Sequence, residues 1–221
     1  MQIKKLFTAA SMAFALGLCG VAQADVINFT GGTATDVGAG THVTSNSSSF
    51  SNIVKYEQLG YRVEFIGGTG YIGNYYGAGN DVIHGHWDTG DYGTLTRIKF
   101  SRIDGAAFDL NYFLLTSNTD TGGGAASGNE RAFIHASSDG VTDDYSQLLP
   151  VENWGFPATA VMLGSQFDSV KAFWFDVENA VDCFGMDMFY INEAAPGVPE
   201  PASLALVALA LAGVGVSRRR R

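Results

Sequence analysis

Cysteine is almost absent from this chain of 221 residues, which contains only Cys19 and Cys183. Cys19 lies in a segment that we expect to be removed, and one remaining cysteine cannot form an intramolecular disulfide. Cys183, at the start of a predicted strand, is expected to be a small core residue and not a reactive thiol. The sequence therefore excludes a disulfide-stabilised scaffold.

Positive charge is scarce between the two ends of the chain. From Asp25 to Pro199 there are 7 Lys and Arg residues against 21 Asp and Glu residues, a net charge of -14. Because an anionic surface repels phosphate backbones and gains nothing from counterion release, we expect this region not to bind nucleic acid.

Catalytic motifs are also lacking. No Gly-x-Ser-x-Gly sequence occurs, and a Ser-His-Asp set could be drawn on paper for almost any secreted chain. A glycosidase needs two carboxyl groups at a defined separation, and the chain has only 7 Glu. We predict that the protein is not an enzyme; the alternative is a secreted hydrolase acting on matrix carbohydrate.

No apolar stretch between the two ends has the 3.6-residue period of an amphipathic helix. Short β-branched and aromatic runs recur instead, and residues 61–65 alternate apolar and charged side chains, as in a half-exposed antiparallel strand. The predicted strands are 26–29, 53–56, 61–66, 71–76, 82–87, 95–100, 107–115, 131–135, 160–163, 170–177 and 185–191. This pattern predicts an all-β protein with a jelly-roll-like antiparallel β-sandwich.

The connections between these strands have recognisable chemistry. Residues 30–52 and 117–129 are rich in Gly, Ser and Thr, so we expect surface loops there. Pro150 and Pro157 bracket residues 151–156, which predicts an irregular crossing between strands. The Asp-Gly pair at residues 104–105 is a hairpin signal and predicts that the strands on either side of it pair with each other.

The amino-terminal segment has the regions of a secretory signal peptide. Two lysines precede an apolar run over residues 6–21, and Ala22 and Ala24 occupy the positions that signal peptidase inspects. Residues 1–24 are therefore predicted to be a cleaved signal peptide. The alternative is an N-terminal membrane anchor, although no stop-transfer pattern follows.

The carboxyl-terminal segment combines three ordered features. Pro199, Glu200 and Pro201 come first, an apolar run over residues 202–216 follows, and Arg218, Arg219, Arg220 and Arg221 come last. As a helix the run would span about 22 Å of a roughly 30 Å hydrocarbon core, and snorkelling arginines can make up part of the difference. We predict a single short transmembrane helix with its arginines in the cytoplasm.

This tripartite tail resembles the PEP-CTERM sorting signal, which is recognised by exosortase, a membrane enzyme resembling cysteine transpeptidases. The resemblance covers residues 198–221. It implies a Gram-negative bacterium that secretes exopolysaccharide, removal of the tail near Pro-Glu-Pro, and delivery to the cell surface or extracellular matrix. The alternative is an ordinary tail anchor. The resulting division is an acidic β-sandwich ectodomain over residues 25–195 and a sorting tail over residues 196–221.

Two segments of the middle region resemble the ectodomains that commonly precede such tails. In those proteins a segment similar to residues 104–110 joins two core strands, and a segment similar to residues 184–190 forms the last strand. Neither carries a known catalytic role, so the resemblance implies the sandwich and no reaction.

Aromatic residues are concentrated in one part of the middle region. Tyr71, Tyr75, Tyr76, Trp87 and Tyr92 fall within 22 residues, among glycines. Flat rings beside polar loops are suited to stacking against sugar rings. We predict polysaccharide binding through Tyr75, Tyr76 and Trp87; the alternative is that half of the rings belong to the core.

Two kinds of metal site are suggested by polar residues. His84 and His86 lie two apart on a predicted strand, so both could face one transition metal together with Asp88. The spacing brings in neither of the other two histidines, His42 and His135, as a further ligand. The alternative is a polar strand end beside an aromatic residue.

Clustered carboxylates suggest calcium as a second ion. Asp139, Asp143 and Asp144 form one cluster, and Asp88 and Asp91 form another. The first cluster lacks the spacing and the closing Glu of an EF-hand loop, and solvated turn residues are the simpler explanation. We predict no cofactor, with calcium as the open alternative.

Taken together, these features predict a protein that is exported, held transiently in the inner membrane, and then delivered to the cell surface or extracellular matrix. Signal peptidase, exosortase and extracellular polysaccharide are the expected partners.

Overall fold

The computed structural model describes residues 24–77, 79–89, 93–179 and 181–193. The strands are β1 (Asp25–Ile27), β2 (Thr33–Asp36), β3 (Thr41–Val43), β4 (Ser49–Gln58), β5 (Tyr61–Ile66), β6 (Gly70–Gly73), β7 (Val82–His86), β8 (Arg97–Arg102), β9 (Leu110–Thr119), β10 (Arg131–Ser137), β11 (Tyr145–Leu148), β12 (Thr159–Met162), β13 (Ala172–Asn179) and β14 (Cys183–Ile191). A short 3-10 helix covers Ser165–Phe167. The prediction of an all-β fold is confirmed.

The predicted sorting elements lie largely outside these residues. Ala24 is described, whereas Ala22 and the rest of the predicted signal peptide are not. The predicted tail, with the Pro199–Pro201 motif, the apolar run and Arg218–Arg221, also lies outside. Within the described ranges, no helix is both long enough and apolar enough to cross a bilayer.

The strand β5 shows why the sequence pattern was informative. Tyr61, Val63 and Phe65 are buried, and the intervening Arg62 and Glu64 are partly exposed. Alternate side chains of a strand point to opposite faces, so this period-2 sequence buries one face and leaves the other wet. The predicted and observed bounds of this strand coincide.

The strands are hydrogen-bonded in one antiparallel path. Its order is β11-β10-β13-β8-β5-β4-β6-β7-β14-β9-β12, with β1 added to β14 and β2 added to β4. The sequence predicted two sheets packed face to face; the described strands instead belong to a single continuous sheet.

This sheet curls until distant parts of the path face each other. The ring of Phe113 on β9 lies 5.3 Å from that of Phe175 on β13, and Phe189 on β14 lies 5.1 Å from Phe100 on β8. Such contacts need two layers, because β9 and β14 are separated from β8 and β13 along the path. A sandwich-like aromatic core is thus enclosed by one sheet.

The hairpin predicted at residues 104–105 is wrong in its pairing. The turn exists: Gly105 has a φ of 70° and donates its N–H to the carbonyl of Arg102 at 3.2 Å. However, β8 pairs with β5 and β13, whereas β9 pairs with β14 and β12. The turn carries the chain from one layer to the other. An Asp-Gly sequence favours a reversal of the chain, but side-chain packing decides which strand the next strand pairs with.

Two of the predicted loops contain strands. Residues 30–52 include β2, β3 and the start of β4, with Ala34 fully buried. Residues 117–129 begin inside β9, where Ser117, Asn118 and Thr119 are fully buried. Strand propensity depends on the surface against which a segment packs, so polar composition alone identified these segments incorrectly.

Candidate functional site

Four adjacent strands place one residue each in a row across the outer face of the sheet. Tyr71 of β6 lies opposite His84 of β7, His84 lies opposite Gly185 of β14, and Gly185 lies opposite Ser117 of β9. Residues directly opposite each other share a face. The neighbouring positions on the inner face are core residues: Ile72, Ile83 and Phe184.

Aromatic rings cover this row. We call them the aromatic platform, which consists of Tyr71, Tyr75, Tyr76, His84, Trp154 and Phe156. His84 stacks on Tyr71 with ring centroids 4.7 Å apart and planes at 4°. Tyr75 meets His84 edge-on at 4.7 Å, and Trp154 does so at 5.5 Å. These separations and angles are those of favourable aromatic pairs, so the platform is a continuous packed surface.

The position of Tyr76 depends on a glycine. Its hydroxyl lies 3.4 Å from the hydroxyls of Ser117 and Thr116, directly above Gly185. A Cβ atom at Gly185 would collide with the Tyr76 hydroxyl. Because glycine lacks that atom, the ring can approach the strand closely. Burial raises the pKa of Tyr76, so the phenol is neutral.

The segment at residues 150–157 brings Trp154 onto the platform. The N–H of Trp154 donates to the carbonyl of Gly124 at 3.0 Å, and the N–H of Gly155 donates to that of Thr116 at 2.8 Å. Trp154 then meets Tyr76 edge-on at 4.5 Å. The predicted irregular crossing is therefore hydrogen-bonded to β9 and to the loop that follows it.

An open cavity adjoins this segment. It has a volume of about 260 Å³ and is lined by residues 152–157 and Thr159, including the rings of Trp154 and Phe156. Phe156 is 36% exposed, and its ring lies 5.9 Å from that of Tyr76. The platform thus reaches solvent beside a recess.

His84 is an uncharged member of the platform. It is 3% exposed, and burial, followed by the nearby His86, lowers the pKa of His84 to about 3. Its buried Nδ1 has no hydrogen-bond partner among the described residues. The imidazole is therefore neutral at physiological pH and contributes a flat ring.

The predicted metal ligands are only partly brought together. His84 and His86 share a face, with ring centroids 5.8 Å apart, and His86 Nδ1 lies 3.4 Å from Asp182 Oδ1. Asp88 is exposed beyond the end of β7. In the described part of the chain, no three His, Cys, Asp or Glu side chains are arranged to share a metal ion. A metal site at these residues therefore stays a prediction.

Trp87 is not part of the platform, so its assignment as a ligand-binding residue is wrong. The side chain is fully buried, and its ring packs in the core at 5.7 Å from Phe184. His84 and His86 point outward, and Trp87, one residue further, points inward. This alternation in the sequence could have indicated that Trp87 faces the core. Tyr92 lies outside the described residues.

Trp154 and Phe156 were missed from the sequence. They lie almost eighty residues beyond the tyrosine cluster, and only the fold of residues 150–157 brings them to it. The available signal was a pair of large aromatic residues in a proline-bracketed segment, where no strand face was available to bury them.

The carboxylates of Asp139 and Asp144 accept hydrogen bonds from residues close to them in the chain. Asp139 accepts the N–H groups of Val141 and Thr142, each at 2.7 Å, and these hydrogen bonds lower the pKa of Asp139. Asp144 accepts the N–H and hydroxyl of Ser138. The prediction of no cofactor, with calcium at these residues as the alternative, stays a prediction, and Asp91 of the other cluster lies outside the described residues.

Cys183 is a core residue, as expected. It is fully buried, and burial raises the pKa of its thiol to about 12. A thiol protonated at physiological pH is a poor nucleophile.

A second polar cluster surrounds His135. Its Nε2 lies 2.8 Å from Asp176 Oδ1, and its Nδ1 lies 2.8 Å from Asp143 Oδ2. The ring stacks on Trp174 at 5.4 Å, whose other contacts include the Arg97 guanidinium at 4.5 Å. Burial lowers the pKa of His135, but the hydrogen bonds to Asp176 and Asp143 outweigh it, so the pKa is raised above 6.5.

This raised pKa predicts a pH-dependent stability. Below the unfolded-state pKa of about 6.5 the stabilisation is fully present, and it is lost as the pH rises through the folded-state pKa. Raising the pH from 5.5 to 8.5 should lower the free energy of unfolding of both the parent and His135→Gln. We expect the decrease to be larger in the parent, by on the order of 1 kcal/mol. Urea unfolding of both proteins at the two pH values measures the difference. If the free energy of unfolding decreases equally in the parent and the variant, His135 is not the source of the pH dependence.

Comparison with known proteins concerns mainly the tail. Residues 197–221 match the protein-family description "PEP-CTERM protein-sorting motif". The chain carries a PEP-CTERM sorting motif. The match confirms the resemblance drawn from Pro199–Pro201 and Arg218–Arg221. It implies export and membrane-anchored sorting, with an exosortase as the general partner of the PEP-CTERM motif.

Two further comparisons concern the whole chain. No curated protein has significant similarity to the chain. Among solved structures, the module described as "CBM29_1, A Family 29 Carbohydrate Binding Module from Piromyces equi" has 7% identity and a TM-score of 0.41, covering 80% of this chain and 96% of that one. At that TM-score the likeness carries no information about the ligand of the PEP-CTERM protein.

Proposed function

We propose that this PEP-CTERM protein is a non-enzymatic protein of the cell surface or extracellular matrix whose β domain binds exopolysaccharide. The aromatic platform is the observation that carries this proposal. Its rings are packed into one outer surface, and Trp154 and Phe156 extend that surface to a recess of about 260 Å³. The apolar C–H faces of sugar rings stack on such rings.

The net charge of the β domain indicates which class of polysaccharide it would bind. The region from Asp25 to Pro199 has a net charge of -14, and the platform contributes no cation because His84 is neutral. An anionic polysaccharide would be repelled by this surface. The proposed ligand is therefore a neutral polysaccharide.

A larger cavity elsewhere is a weaker candidate for the same ligand. It has a volume of about 540 Å³ and is lined by residues 128–131, Leu148, Leu149, Val151 and Asn179. None of these lining residues is aromatic. Stacking on sugar rings therefore favours the smaller recess beside the platform.

The test compares aromatic substitutions on and off the platform. Trp154→Ala and Tyr75→Ala are expected to weaken binding to neutral exopolysaccharide by about tenfold or more, equivalent to about 1.4 kcal/mol. Tyr145→Ala is the control, because Tyr145 is an aromatic residue that is 37% exposed but lies on β11 and not on the platform. Titration calorimetry with the isolated polysaccharide measures the affinities.

A further variant tests the platform without removing a ring. Gly185→Ala introduces a methyl group that collides with the Tyr76 hydroxyl, so we expect it to displace Tyr76 and weaken binding as well. Equal affinities of the parent, the platform variants and Tyr145→Ala would contradict the proposed site. Polysaccharide cleavage that a single Asp or Glu substitution abolishes would favour the hydrolase alternative.

The proposed route begins with cleavage of the signal peptide after Ala24. The apolar helix at residues 202–216 then holds the protein transiently in the inner membrane, and exosortase processes it near Pro199–Pro201. The β domain is thereby delivered to the surface, where its ligand is present.

A further inference from the structure

Three adjacent strands bring oxygen-bearing side chains to one end of the sheet. Gly73 of β6 lies opposite Val82 of β7, so Asn74 and Asp81, the next residues outward, are neighbours. Ile83 lies opposite Met186 of β14, which places Asp187 beside the same strand end. This location adjoins Tyr75 of the aromatic platform in the chain and does not include the Asp139 turn.

The side-chain oxygens at this end have no protein partners. Asp81 Oδ1 and Oδ2, Asp187 Oδ1 and Asn74 Oδ1 are buried and lack a hydrogen bond from any described residue. Asp81 is 1% exposed and Asp187 is 2% exposed. Buried carboxylates are normally hydrogen-bonded, paired with a cation or bound to a metal, so these oxygens need an explanation.

The segment before β4 closes over the same place. The Thr30 hydroxyl donates to Asn46 Oδ1 at 2.8 Å, and Asn74 Nδ2 donates to the carbonyl of Asn46 at 3.0 Å. The Thr30 hydroxyl also lies near Asp81. Its one proton is donated to Asn46 Oδ1, so it leaves the Asp81 oxygens without a donor.

Negative charge at this location is unbalanced. None of the ion pairs among the described residues includes Asp81 or Asp187. Asp81 lies close enough to Asp187 for their charges to interact. A divalent cation between two buried carboxyl groups would balance this negative charge.

We propose that Asp81, Asp187 and Asn74 bind a calcium ion. Two carboxylates and an amide oxygen are hard ligands of the kind calcium prefers, whereas zinc sites use mainly nitrogen and sulfur. Calcium takes about six to eight oxygens, so backbone carbonyls and water would complete the shell. The ion would join the ends of β6 and β7 to β14, and would stabilise that end of the sheet.

The test uses the full-length protein in detergent, treated with EDTA and then titrated with CaCl2. We expect one calcium per chain by calorimetry, and a midpoint of thermal unfolding that rises by about 5–10 °C at a hundredfold excess over the dissociation constant. Magnesium chloride is expected to give a smaller shift, because magnesium requires a tighter octahedral site.

Isosteric variants locate the site. Asp81→Asn and Asp187→Asn are expected to abolish the calcium response, yet to unfold in EDTA at or above the temperature of the parent, because each removes an uncompensated buried charge. The control Asp139→Asn removes a carboxylate from the other cluster and should retain the response.

Two results would overturn the proposal. One is a parent protein that neither binds calcium nor is stabilised by it at millimolar concentration. The other is a calcium response that survives Asp81→Asn and disappears in Asp139→Asn. Neither result depends on polysaccharide binding, so failure of this proposal and failure of the proposed function are distinguishable.

Discussion

Trp87→Ala is expected to lower the free energy of unfolding by about 3–5 kcal/mol. The indole is fully buried and packs against Phe184 at 5.7 Å, so its removal leaves a large cavity in the core. A typical domain is stable by about 5–15 kcal/mol, and this one substitution would therefore remove a large part of the total. Urea unfolding of the parent and the variant measures the difference.

Trp154→Ala is the matched comparison for this substitution. Trp154 is partly exposed on the aromatic platform, so we expect its removal to cost about 1 kcal/mol of stability or less and to reduce polysaccharide binding. The two tryptophans should therefore separate stability from binding. A Trp87→Ala protein that unfolds like the parent but no longer binds polysaccharide would contradict the placement of Trp87 in the core.

Tail variants are expected to block maturation completely. Glu200→Ala alters the motif next to which exosortase is proposed to cut, and deletion of Arg218–Arg221 removes the charges that keep the helix end in the cytoplasm. Both proteins should accumulate as precursors with an uncleaved tail in a host that contains exosortase. Intact mass and the fraction at the cell surface are the measurements.

Controls distinguish sorting from a general defect. Glu178→Ala replaces an exposed glutamate of the β domain, paired with Arg131 at 2.8 Å, and should mature normally. In a host without exosortase, the parent should behave like the tail variants. If Glu200→Ala and the arginine deletion reach the surface with the parental mass, the tail is not recognised in the proposed way.

Local sequence patterns predicted the strands well where one face of a strand is buried. In β5, alternation from Tyr61 to Phe65 gave both the strand and its buried face. The same reasoning failed for β2, whose residues Thr33–Asp36 are short and polar and pair with the edge of β4. Pairing with an existing strand, and not local propensity, makes that segment a strand.

Local sequence patterns did not indicate which strands pair with each other. An Asp-Gly turn reverses the chain after β8 whether the next strand pairs with it or crosses to the other layer. The crossing is favoured because Phe113 of β9 then packs on Phe175 of the opposite layer at 5.3 Å.

The sorting motif was recognisable from the sequence alone, because the PEP-CTERM motif is a linear signal that does not depend on the fold. The signal peptide, another linear signal, stays a prediction. Only the tertiary structure decided which side chains form the platform and the carboxylate pair. Tyr76 meets Trp154, and Asp81 lies near Asp187, because strand register and the curl of the sheet join residues far apart in the chain. No local pattern contains that information.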